Sequence, residues 1–187
     1  MRRARYALAA TGAAVGVLLL GGCGDDTSAK PTMPSETPAL WNPCDAIDSD
    51  LVQDAFGTVA KEEDGTPTQP ECRFSPDEKT GAPVVQANYQ QFSGGLEAAW
   101  DTMGQPKDAD VRRPSIPQAD DARLVISVVK KQLYVTGFVQ NGPLIQTLNV
   151  VDPAPYDEDR DIAGTERILT AFSRHAENSL FAQESDN

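Results

Sequence analysis

The 187-residue chain contains one histidine and only three cysteines. Zinc catalysis needs several convergent ligands, and a single imidazole does not supply them. A nucleophilic set is also missing, because Ser173 and His175 are two residues apart and would point to different sides of a helix. No Gly-x-Ser-x-Gly elbow, Gly-x-Gly-x-x-Gly fingerprint or phosphate loop occurs. No metal, cofactor or catalytic residue is therefore expected. Basic residues are scarce too: 16 Lys and Arg stand against 28 Asp and Glu, a formal net charge of −12. Such a chain is repelled by nucleic acid and by anionic headgroups. No apolar run reaches the roughly 20 residues of a membrane-spanning helix.

What the N-terminus does have is a leader pattern. Arg2, Arg3 and Arg5 precede Leu8 to Leu20, an uncharged, mostly apolar run of thirteen residues, and no acid occurs before Asp25. That length suits the core of a secretory signal peptide, about 7 to 15 residues. Leu20-Gly21-Gly22-Cys23 resembles the lipobox of bacterial lipoproteins, in which two small residues fit the signal peptidase and the cysteine thiol receives diacylglycerol. Residues 1–22 then form the leader. Cys23 becomes the lipidation site, bearing acyl chains of the palmitate type. The alternative is an ordinary cysteine behind an ordinary signal peptide. Arg2-Arg3 leaves the export route, general secretory or twin-arginine, open. Cleavage would remove three arginines and no acid, taking the net charge from −12 to −15. Membrane attachment would rest on the acyl chains, since stable anchoring takes two or more of them.

With Cys23 acylated, Cys44 and Cys72 remain in a compartment where thiols oxidise, and a disulfide between them is expected. A pair of buried or metal-binding thiols is the other outcome, although no histidine lies near them. Residues 23–40 form the acylated cysteine and a flexible tether: Gly24 to Ala39 holds one large apolar residue, Met33, and cannot bury enough surface to fold. Residues 41–183 make a single globular domain, and 184–187 a tail.

Within the domain, Asp48 and Ser49 before Leu51, Val52, Ala55 and Phe56, with Gly57 beyond, predict a short capped helix. Glu71 to Ser75 and Val84 through Phe92 predict strands. Leu96, Ala99, Trp100 and Met103 predict a second helix. From Ala122 to Val151, Asn141-Gly142 signals a two-residue hairpin that pairs Val139 with Leu144 and Val135 with Leu148 on the core face. Pro143 lacks the N–H that closes such a turn, so a looser loop is the alternative. A turn at Lys130-Lys131 places Val128 opposite Leu133 and Ile126 opposite Val135. Asp157, Glu158, Asp159 and Asp161 open a last amphipathic helix, with Ile162, Thr165, Leu169, Phe172 and Ala176 on its apolar face and His175 near its end. The expected fold is α+β: a small antiparallel sheet, comprising a three-stranded C-terminal meander and one or two earlier strands, with helices packed on one face.

Trp41-Asn42-Pro43-Cys44-Asp45, Leu51 to Gly57 and Glu71-Cys72-Arg73-Phe74 together look like the opening of an uncharacterised family of actinobacterial lipoproteins that includes mycobacterial LprB and LprC. The resemblance covers residues 41–75 and implies a surface lipoprotein of unknown activity.

Asp157-x-Asp159-x-Asp161 has the acid spacing of a calcium loop, but Ile162 and Ile168 stand where the turn glycine and the bidentate glutamate belong. Two functional readings remain. One is a binding or accessory domain for an envelope protein or small ligand, with Tyr134, Phe138 and Ile145 as the candidate binding face on the non-core side of the sheet; that face is otherwise ordinary core or surface. The other is a carboxylate-dependent hydrolase acting on cell-envelope material.

Overall fold

A computed structural model describes residues 42–66, 68–77 and 79–184, with side chains through Ser179. The leader, Cys23 and the tether lie outside the described residues. After a single 3₁₀ turn at Pro43–Asp45 come α1 (Ser49–Phe56), β1 (Ala60–Thr66), β2 (Gln69–Pro76), β3 (Val84–Gln91), α2 (Gly95–Trp100) and β4 (Asp110–Arg112). β5 (Asp121–Val129), β6 (Gln132–Asn141), β7 (Leu144–Pro153) and α3 (Glu158–Glu184) complete the domain. The class is α+β. All neighbouring strands are antiparallel, in the order β1-β2-β3-β7-β6-β5-β4.

The sheet has seven strands, four of them before the meander, where one or two were expected. The additions, β1 and β4, carry no apolar alternation: β1 reads Ala-Lys-Glu-Glu-Asp-Gly-Thr and β4 Asp-Val-Arg. Both are edge strands. Charged or very short edges deter pairing with a second sheet, which is also why they escape a hydrophobic pattern.

Local signals set the remaining elements. The Asp48 side chain accepts from Leu51 N–H at 2.8 Å, and Gly57 closes α1 in the left-handed conformation. Lys130 and Lys131 both have positive φ, as a type I′ turn requires, and Val128 pairs with Leu133 and Ile126 with Val135 as expected. The other hairpin departs from expectation by a small slide. Pro143 cannot donate to Gln140, so the loop centres on Gly142-Pro143, with Gly142 alone at positive φ, the pattern of a type II′ turn. Asn141 now pairs with Leu144, Val139 with Gln146 and Val135 with Val150. Each partner moves by two residues, so every side chain keeps its face.

One face of the sheet presents Val85, Ala87, Leu124, Ile126, Val135, Val139, Leu148 and Val150 to Val52 and Phe56 of α1 and to Ile168, Leu169 and Phe172 of α3. Close approach is built in. A Cβ on Gly137 would lie 2.7 Å from Thr165 Cγ2, and one on Gly164 would lie 2.7 Å from the Ala55 carbonyl oxygen. The disulfide joins Cys44, the middle residue of the 3₁₀ turn, to the wholly buried Cys72 of β2. α2 does not share the face of α1 and α3, correcting the expectation of helices on one side. It lies in the connection from β3 to β4, strands separated by β7, β6 and β5, so that connection must cross the sheet. Its buried Leu96 and Ala99 cluster with Val125, Phe138 and Ile145 on the outer face.

Candidate functional site

The outer face divides into a closed and an open part. Over the closed part, Trp100 meets Phe138 edge-on, with ring centroids 5.8 Å apart and planes at 89°. Arg123, 2% exposed, lies with its guanidinium carbon 4.5 Å from the Trp100 ring centroid. The same guanidinium donates to Glu97 on α2 and, at 3.4 Å, to Asp121. Gln140 Oε1 accepts from Leu96 N–H at 2.6 Å and so caps the start of α2. Phe138 and Ile145 are therefore buried. Their assignment to an exposed binding face is corrected: the apolar side of α2 needs a partner, and they supply it.

The third nominated residue, Tyr134, belongs to the open part. Beyond α2, a groove of about 320 Å³ is lined by Gln105, Pro106, Val125, Ser127, Val129, Tyr134 and Thr136. β5 and β6 contribute alternate residues, which share a face by the strand period of two, and the α2–β4 connection forms the wall. None of the seven is charged, in a chain where 24% of residues are. Tyr134 Oη donates to Gln132 Oε1 at 3.0 Å, and Thr136 Oγ1 to Asn149 Oδ1 at 3.1 Å, which steadies both side chains. Val129 is 49% exposed at the rim. Strand alternation could have added Ser127, Val129 and Thr136 to Tyr134. Gln105 and Pro106 come from a loop and carry no such signal.

Two other clusters bear on chemistry. Cys44, Cys72, Glu62 and Asp64 bring ligand-type atoms within 4.8 Å of one another. The sulfurs are bonded to each other, and the two carboxylates that remain are too few for a structural zinc site. Burial, then the nearby Asp64 and Asp48, raise the Glu62 carboxyl above its usual range. The second cluster is Asp152, at the end of β7, and Asp161, in the first turn of α3, 1% and 0% exposed. Arg160 Nη2 donates to Asp152 at 2.6 Å and to Asp161 at 2.8 Å. This carboxylate pair is enclosed, and a substrate could not reach it without displacing α3. Ser173 is buried and accepts from Asn141 Nδ2 at 3.0 Å. His175 is half-buried, and α3 continues past it to Glu184, so it does not sit at the helix end as expected.

Fold and groove together define an antiparallel α+β domain with one sheet face packed as core and the other partly open. No family model, curated protein or solved structure matches the chain.

Proposed function

We propose that the protein is an exported lipoprotein, of the actinobacterial kind that residues 41–75 resemble, held at the outer face of the cytoplasmic membrane by acylated Cys23. Its domain binds a small ligand or a segment of an envelope protein in the groove beside Tyr134, without catalysis. The observation that carries this reading is the uncharged groove with the exposed Val129 at its rim, on an otherwise acidic chain. Its volume falls at the lower end for small-ligand sites, roughly 300 to 1,000 Å³. That is room for a small ring compound or one large side chain, with Val129 at the rim supplying further apolar contact. The hydrolase reading draws no support from Asp152 and Asp161, which lie buried under α3. Photo-crosslinking in intact cells tests the proposal. An adduct should form from a photoreactive residue at Val129 and not from one at Val59, which is 73% exposed on the connection from α1 to β1.

A further inference from the structure

The Asp152 and Asp161 pair has no part in the proposed groove, yet its construction is unusual. Two carboxylates are buried together, and the cation beside them is a single guanidinium, Arg160, whose side chain is 36% exposed. Arg160 Nε and Nη2 both donate to Asp161 Oδ1, at 2.9 and 2.8 Å, and Nη2 also donates to Asp152 Oδ2 at 2.6 Å. Asp161 Oδ2 is buried and receives no hydrogen bond from any donor among the described residues. A buried carboxylate oxygen without a donor is costly, and a proton between the two carboxyls would give it a partner. Charge balance argues the same way: two carboxylates and one guanidinium leave one negative charge in excess, and one proton cancels it.

Other charges near the pair do not change that balance. Asp157, just before α3, accepts from Arg160 N–H at 3.1 Å as the helix cap. Glu158 faces Arg112 of β4 at 3.9 Å on the solvent side. From β6 the residue opposite Asp152 is Leu133, apolar and buried. The Lys131 side chain is exposed, and its backbone carbonyl accepts from Ala154 N–H at 3.0 Å.

We propose that Asp152 and Asp161 hold one proton between them and form a latch that fastens the first turn of α3 to the end of β7 more firmly in acid than at neutral pH. Burial pushes the Asp161 carboxyl up to about 7, and the adjacent Asp152 adds to the rise while Arg160 opposes it. The sign follows from linkage. An aspartate whose value is raised in the folded state contributes stability that is complete below its unfolded value, near 3.8, and is lost as pH rises through about 7. Once the proton leaves, the excess charge is confined beside Leu133, and the first turn of α3 is the element free to move away.

The test is equilibrium unfolding by urea of the full chain in a mild non-ionic detergent, at several pH values from 4.5 to 8, for wild type and Asp161→Asn. Relative to the variant, the wild-type unfolding constant should rise up to about tenfold per pH unit between about pH 5 and 7, the slope for one proton. The same pH dependence in both proteins overturns the proposal. Carboxyl carbon resonances of wild-type Asp152 and Asp161 provide a reading that holds even if the variant does not fold. At least one should keep its protonated shift above pH 5, and ordinary titration of both below that pH overturns the latch.

Discussion

Replacing Phe138 and Tyr134 separately by alanine distinguishes the closed from the open part of the outer face. Phe138 is 8% exposed, and it packs with Leu96, Ala99, Val125 and Ile145 and meets Trp100 edge-on. Truncating a core phenylalanine costs about 3 to 5 kcal/mol, including a cavity term. The edge-on aromatic pair contributes about 0.5 to 1.5 kcal/mol beyond burial. α2 has only six residues and can settle into part of the space, so about 2 to 4 kcal/mol is the expected loss for Phe138→Ala. Tyr134 is half-buried at the groove, and its hydroxyl donates to Gln132 on its own strand. Tyr134→Ala should cost less than about 1 kcal/mol. Urea unfolding followed by Trp100 emission, in a Trp41→Phe background, reads both stability and the docking of α2. With a urea slope of about 2 kcal/mol per molar, the middle of the usual range, the Phe138 variant should unfold about 1 to 2 M earlier. A Phe138 variant within about 0.5 kcal/mol of wild type, or a Tyr134 variant that loses as much as the Phe138 one, would refute the division of the face.

Two more expectations concern covalent chemistry. The disulfide closes a sequence separation of 28 residues, and Cys44→Ala should lower stability by roughly 2 to 5 kcal/mol; intact mass with and without alkylation should show both thiols protected in exported wild-type protein, and two freely alkylated thiols there would contradict the bond. Cys23→Ser should abolish labelling by a fatty-acid analogue, and unchanged labelling would end the lipoprotein reading.

Much of the domain is legible in the sequence because local rules agree there. Asp48 and Gly57 bracket α1, and alternation along β5 to β7 places Ile126, Leu133, Val135, Val139 and Leu148 on the core face. The misplaced turn at Asn141-Gly142 did no harm, because a slide of two residues preserves side-chain parity. Helical spacing revealed α2 but could not say which side of the sheet it covers. That depends on the crossing from β3 to β4, a consequence of strand order. The buried acids were within reach of the same periodicities. Asp161 continues the helical face of Thr165, Ile168 and Phe172, and Asp152 continues the alternation of Leu148 and Val150. The acids from Asp157 to Asp161 all suit a helix N-terminus, and only the helical period separates Asp161, which points inward, from the rest.

The account rests most on the groove beside Tyr134 being the binding face, and photo-crosslinking from Val129 in intact cells tests this directly when repeated in a Tyr134→Ala background. The account predicts an adduct of defined mass from Val129, none from Val59, and a yield reduced about tenfold or more without the tyrosine, the loss expected for an aromatic anchor worth at least about 1.4 kcal/mol. Absence of an adduct at Val129, equal adducts from Val129 and Val59, or a yield indifferent to Tyr134 would contradict it.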